Sequence, residues 1–272
     1  TQSMEVQVPE TKLRSSIADA WNAFRTSKTS GCTSIHPECS ILIITDANGA
    51  FVTGKPPVIR LPNDMTETPI EILYVQITPV GKRSSSVAKV RINPKYTGFL
   101  VFLKEKELDD MAWKCISMTV GVINDEPILP SYYQQVNNLT WDGYCHANRI
   151  CDGELMSKYF HPTCRLTYTG PDDRVTICES AEFYAKVSGR YEQEQPHKPY
   201  AHLKGDPRVA DANTLVSTDF SSSQIAMAVL KIGHPPFLWT DLLTCARILT
   251  DGKAQWWIVH KSSDCEQHPL IG

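Results

Sequence analysis

The run Ile116-Ser117-Met118-Thr119-Val120-Gly121-Val122 decides the fold class. Apolar Ile116, Met118, Val120 and Val122 alternate with Ser117, Thr119 and Gly121. A period of two places alternate side chains on opposite faces of a strand, so one face meets a core. Working outward, Phe99 to Leu103 is apolar throughout and reads as a central strand, covered on both sides. Val87 to Ile92 alternates again, with Ala88, Val90 and Ile92 opposed to Lys89, Arg91 and Asn93. Ser40 to Asp46 is a buried-strand run, and Asn48-Gly49 supplies the pair that a tight hairpin turn favours. Further strands are expected at Val58 to Leu61, Ile70 to Thr78, Arg165 to Thr169, Val175 to Cys178 and Trp256 to His260. Gly170-Pro171-Asp172-Asp173 joins the third and fourth of these as a turn.

Helices are expected mainly near the two ends. Leu13, Ile17, Trp21 and Phe24 recur at helical spacing over residues 11 to 26, and the polar stretch before Gly31 reads as a hinge. Ser131 to Val136 opens a short helix. Thr240 can cap a third helix carrying Leu242, Leu243, Ala246 and Leu249, ended by Asp251-Gly252. Ile225 to Ile232 is ambiguous, and the polar residues 188 to 213 read as a long loop. No internal repeat stands out. The expectation is a mainly β protein, with a β-sandwich or jelly-roll-like core and N- and C-terminal helices, or an α+β fold if the helices prove larger. Its organisation is read as an N-terminal helical arm over 1–30 and one β-rich domain over 31–272, with a possible subdivision near 125–140.

Composition narrows the function. Of 272 residues, 42% are hydrophobic and 21% charged, enough to bury a core unaided by metals or disulfides. The net charge of −3 argues against a global nucleic-acid footprint. No apolar run is long enough to span a bilayer, and the polar start TQSMEVQVPE does not read as a secretory signal. The location expected is cytoplasmic or virion-associated, with secretion left open. Nine cysteines, an odd number, argue against a complete disulfide framework.

Candidate sites are few. Cys145, Cys151, His161 and Cys164 have the ligand types zinc prefers, at a spacing that matches no standard finger. His161-Pro162-Thr163 and His260-Lys261-Ser262 loosely echo paired-histidine phosphoesterases. Asp172, Glu179 or Glu182, and Lys186 echo a compressed metal-dependent nuclease, although Pro171-Asp172-Asp173 is ordinary turn chemistry. Gly81-Lys82 lacks the upstream glycine of a phosphate loop, because position 76 is Gln. Lys82, Arg83, Lys89, Arg91 and Lys95 remain as a local basic patch for nucleic acid or an acidic membrane surface. Adjacent Trp256 and Trp257 must face opposite sides of a strand, so one of them meets a second layer, a neighbour or solvent.

These features favour a non-enzymatic structural, assembly or binding protein. It would be a self-associating homo-oligomer of the general character of viral coat, matrix or movement proteins, with Leu13, Ile17, Trp21 and Phe24 as the oligomer arm. The alternative is a metal-dependent or histidine-based enzyme acting on nucleic acid or phosphoesters. No cofactor is expected for the favoured reading, with zinc at the Cys145, Cys151, His161 and Cys164 quartet as the one considered.

Overall fold

The computed structural model describes residues 2–26, 28–29, 32–55, 61–66, 69–80, 83–107, 110–169, 174–190, 206–234, 237–268 and 270. They are mostly strand, in two mixed six-stranded sheets with some helices. The first half runs α1 (Gln2–Arg25), β1 (Ile35–Ile44), β2 (Phe51–Gly54), α2 (Asn63–Thr66), β3 (Ile70–Val80), β4 (Arg83–Ile92), β5 (Tyr96–Glu107) and β6 (Asp110–Val122). The second runs α3 (Pro130–Asn137), a π-helix (Asn138–Cys145), α4 (His146–Ile150), α5 (Gly153–Ser157), β7 (Phe160–Thr169), β8 (Val175–Glu179), α6 (Ser180–Ser188), α7 (Pro207–Asp211), β9 (Thr214–Ser222), β10 (Ile225–His234), β11 (Phe237–Thr250) and β12 (Lys253–Gln267).

The two sheets have one topology. Strand order is β2-β1-β6-β5-β4-β3 in the first and β8-β7-β12-β11-β10-β9 in the second. In each, a hairpin pairs in parallel with the last strand of a four-stranded meander. The match extends to irregularities. Between the pairs Ile35–Cys115 and Ser40–Ser117, four residues of β1 are left over; between Phe160–Ile258 and Arg165–His260, four residues of β7 are. Those residues are His36-Pro37-Glu38-Cys39 and His161-Pro162-Thr163-Cys164. In both, the histidine Nδ1 accepts the backbone N–H two residues on, at 3.1 Å from Glu38 and 3.3 Å from Thr163. Proline suits a bulge because it has no N–H to give a ladder. The two halves thus repeat one topology and one bulge, although no repeat stands out in the sequence.

Each sheet turns one face to its own helices and the other to its twin. Leu13, Ile17, Trp21 and Phe24 of α1 are buried against Ile41, Ile43, Leu100, Met118 and Val120. Burying each such side chain is worth about 1.5–3 kcal/mol. The stripe expected to dock as an arm is therefore part of the first half's own core. Between the sheets, Leu42, Ile44, Phe99, Val101, Leu103 and Ile116 meet Ile225, Met227, Val229, Leu242, Ile248 and Val259. Central strands such as β5 are covered on both faces and read as continuous apolar runs for that reason. Polar contacts also join the halves, including Ser40 Oγ to His260 Nδ1 at 2.9 Å and Tyr74 OH to Asp219 at 2.6 Å. Gly49, at φ +90°, brings its backbone against β11: its carbonyl accepts the Leu249 N–H at 2.9 Å, and a Cβ there would lie 2.9 Å from the Arg247 carbonyl oxygen.

Several expectations change. A jelly roll is not formed, because each sheet is built from consecutive strands of its own half. The strands fall into two like halves, the first ending with β6 (Asp110–Val122) and the second opening with α3 (Pro130–Asn137). Residues 240–249 form the long strand β11 and not a capped helix, and Asp251 (φ 50°) and Gly252 (φ 76°) make its hairpin turn. Within the 188–213 stretch, residues 207–211 are helical, and 191–205 lie outside the described residues, as do 170–173 and most of the strand expected at 58–61.

Candidate functional site

The two interiors differ in chemistry. Counting from the shared bulge fixes equivalent positions: Val101 pairs with Ser117 and Phe102 with Cys115, as Thr244 pairs with His260 and Cys245 with Ile258. On the helix-facing side, Gly98, Met118 and Val120 of the first half then correspond to Asp241, Lys261 and Ser263 of the second. The first interior is apolar there, whereas the second holds a charged pair.

Asp241 is 1% exposed and Lys261 6%. Lys261 Nζ donates to Asp241 Oδ1 at 2.7 Å. Ser263, opposite Asp241 in the ladder, donates to the same oxygen at 2.7 Å and accepts from Lys261. Tyr144, at the end of the π-helix, donates its hydroxyl to Asp241 Oδ2 at 2.5 Å. Burial first, and the Asp241 charge second, push the Tyr144 hydroxyl well above its ordinary pKa, so it stays a donor. Asn148 of α4 donates to the Tyr144 oxygen at 3.4 Å and accepts from Arg190 at 2.7 Å. The Lys261 ammonium also lies over the rings of Tyr144 (5.9 Å) and Phe183 of α6 (5.5 Å). Three elements of the helical layer are thereby tied to two strands through the Asp241–Lys261 pair.

The π-helix positions this layer. Its wider turn moves Tyr144 and Cys145 relative to an α-helical course, a distortion often associated with functional sites. Gly143 allows the close approach: a Cβ there would lie 2.5 Å from Tyr159 Cε1. On the outer side lies a surface pocket of about 190 Å³ lined by Trp141, Asp142, Cys145, His146, Arg149 and Asn213. Cys145 separates pocket from cluster. It is 5% exposed, accepts from Asn213 Nδ2 at 3.6 Å, and its thiol is pushed up to about 11 by burial and then by the Asp241 charge. Asn213 is fixed in turn by the Gly233 N–H, at 2.6 Å from its Oδ1.

The residues singled out in the sequence are placed elsewhere. Among the described residues no group of three or more His, Cys, Asp or Glu is arranged to hold a metal ion. Of the zinc quartet, Cys145 lies at the pocket floor, while Cys164 is buried in the second half's core. His161 packs against Phe51 (5.3 Å) and Trp257 (5.8 Å), and Cys151 stands in a left-handed turn closing α4. His260 is committed to Ser40, Thr167 and Ser262 between the sheets. Glu182 and Lys186 pair with each other along α6 at 2.6 Å. In the basic patch, Lys89 pairs with Asp219 (3.1 Å), Arg91 with Glu71 (3.5 Å) and Lys95 with Asp64 (2.6 Å). Lys82 and the Arg83 side chain lie outside the described residues. Trp256 turns into the second half's core and Trp257 toward the other sheet, so the second layer that the pair called for is the twin half.

Asp241, Ser263, Arg149 and Asn213 were not singled out by sequence, and Lys261 entered only as the middle residue of the His260-Lys261-Ser262 triplet. The available signal was an ionisable residue inside an apolar strand run: Asp241 stands in Phe237–Ile248 and Lys261 next to Trp256–His260.

No protein-family model matches the chain, and no curated protein matches it. Among solved structures, an NTF2-like protein of unknown function from Shewanella baltica OS155 is 14% identical, covering 52% of this chain and 98% of that one, with a TM-score of 0.38. An NTF2-like protein of unknown function from Methylobacillus flagellatus KT is 16% identical, covering 51% and 94%, with a TM-score of 0.38. A cystatin-like fold protein from Burkholderia xenovorans LB400 is 19% identical, covering 52% and 95%, with a TM-score of 0.34. No helix among the described residues is long and apolar enough to cross a membrane.

Proposed function

We propose that this protein binds a small polar molecule, that the second half is the working half, and that the first serves as its scaffold. The observation that carries this reading is the difference between equivalent positions. The first half folds with Gly98, Met118 and Val120 where the second places Asp241, Lys261 and Ser263. A buried ion pair costs desolvation that an apolar side chain avoids, so the topology alone gives no reason to keep one. Here the pair holds Tyr144, and with it the π-helix that forms the wall of the 190 Å³ pocket. A concave site with a few convergent polar groups is the ordinary form of a small-molecule site.

Self-association through a helical arm loses its motivating feature, because the apolar stripe of α1 is spent in the core. The coat-like and nucleic-acid readings have no observation among the described residues in their favour. The test is a small-molecule screen on the full chain by thermal shift, repeated on Trp141→Phe and Asn213→Ala. A compound at 100 times its Kd raises stability by about 2.7 kcal/mol. The reading requires hits whose effect falls in both variants. Hits that neither variant weakens, or a broad library with none, would overturn it.

A further inference from the structure

The pocket's rim narrows the ligand class, on the reading that the pocket is a ligand site. Arg149 is exposed and lines the pocket; among the described residues its hydrogen bond joins Nη2 to His146 Nδ1 at 3.2 Å. It makes no salt bridge among the described residues, whereas Arg91, Arg165, Arg208 and Arg247 each pair with a carboxylate. Arg190, a second guanidinium of this layer, is turned inward onto Asn148, and Lys186 pairs with Glu182. A guanidinium is a planar fork of donors that matches a carboxylate with two parallel bonds. Beside it, Trp141 is only partly buried and offers an indole surface, and Asn213 brings an amide already oriented by the Gly233 N–H. Cys145 closes the floor as a neutral thiol, since its pKa is raised. A flat apolar wall, a guanidinium, an amide and a neutral floor within about 190 Å³ suit a compact planar body carrying one negative group.

We infer that the pocket takes small planar carboxylates, with the carboxylate on Arg149 and the ring against Trp141. Asp142, on the same rim, disfavours dianions and bulkier phosphates by like charge.

The experiment compares sodium benzoate, its neutral isostere benzamide and inorganic phosphate, titrated into the full chain at low salt and followed by isothermal calorimetry and ligand-observed NMR. Benzoate is expected to bind at least about tenfold more tightly than benzamide, and phosphate more weakly than benzoate. Arg149→Gln should erase the benzoate preference, bringing benzoate down to the affinity of benzamide for the same variant. Arg149→Lys, which keeps the charge and loses the fork, should retain only part of it. Arg149 is exposed, so both variants should fold, and circular dichroism checks this. Equal binding of benzoate and benzamide, or a benzoate preference that survives Arg149→Gln, overturns the carboxylate assignment while the pocket reading stands. Preferred binding of phosphate also overturns it. No binding of any probe, with screen hits insensitive to Trp141→Phe, overturns both.

Discussion

Replacing Lys261 by Met is the sharpest test of the buried cluster. The substitution installs the residue that the equivalent position of the first half already carries, Met118, and it fits a similar volume. It leaves the Asp241 carboxyl, 1% exposed, without its ammonium partner and with Tyr144 and Ser263 as its remaining donors among the described residues. Removing one member of a buried pair typically costs about 3–5 kcal/mol. For a chain of this length each kcal/mol shifts the melting temperature by roughly 2–4 °C, so a fall of roughly 6–20 °C is expected. Asp241→Leu with Lys261→Met removes both charges. Such replacements are often neutral or stabilising, so the double variant should recover most of the loss, less about 1–3 kcal/mol for a Tyr144 hydroxyl deprived of its acceptor. Adding Tyr144→Phe removes that remainder. The assay is a urea double-mutant cycle followed by tryptophan fluorescence, with benzoate binding measured on each variant. Coupling of under about 1 kcal/mol between Asp241 and Lys261 would refute the account of the pair as one buried unit. A stable double variant that binds every ligand unchanged would refute the link between cluster and pocket.

Acid should weaken the contact between the halves. Burial holds His260 neutral, with its pKa lowered from 6.5 to about 3, so the unfolded chain takes up a proton that the folded chain refuses. Its contribution is complete above pH 6.5 and is lost between there and about pH 3, at about 1.4 kcal/mol per pH unit, and melts of His260→Gln between pH 7 and 4.5 should show a flatter dependence. Gly153→Ala should destabilise by about 1–3 kcal/mol in chemical melts, because its Cβ would lie 2.2 Å from the Tyr184 carbonyl oxygen. Native-state alkylation read by mass spectrometry should modify Cys32, Cys151 and Cys265, which are partly exposed, well before buried Cys39, Cys115, Cys164 and Cys245.

The strand content was legible wherever one face of a strand is polar, as at Val87–Ile92, and wherever a turn has a chemical signature, as at Asn48-Gly49. It failed at β11, which lies between the second half's interior and the other sheet. Leu243 and Cys245 face one side, and Leu242, Ala246 and Ile248 the other. With both faces apolar the period of two disappears, and Leu242, Leu243, Ala246 and Leu249 imitate a helical stripe. Asp251-Gly252 suits a helix end and a tight hairpin equally, since both need positive φ. The repeat was hidden because the halves share backbone irregularities more than side chains. The one local trace is His-Pro-x-Cys at 36–39 and 161–164, where a bulge constrains residue type.

The site was harder to read for a reason that follows from β11. Asp241, Lys261 and Ser263 lie on two strands of one hairpin, and their meeting depends on its turn and on the extra residue at Val259. Reading 240–249 as a helix removes the hairpin and scatters the cluster. Reading it as the first strand of a hairpin about Asp251-Gly252, with Val259 as the extra residue, sets Asp241 opposite Ser263 and diagonal to Lys261. One local ambiguity thus concealed the only interior ion pair that distinguishes the two halves among the described residues. The repeated topology gives that pair its meaning. In a lone domain, a buried Asp–Lys pair could be an accident of packing. Beside a twin that reaches the same backbone with Gly, Met and Val, it is a costly departure whose visible effect is to tether the wall of a pocket.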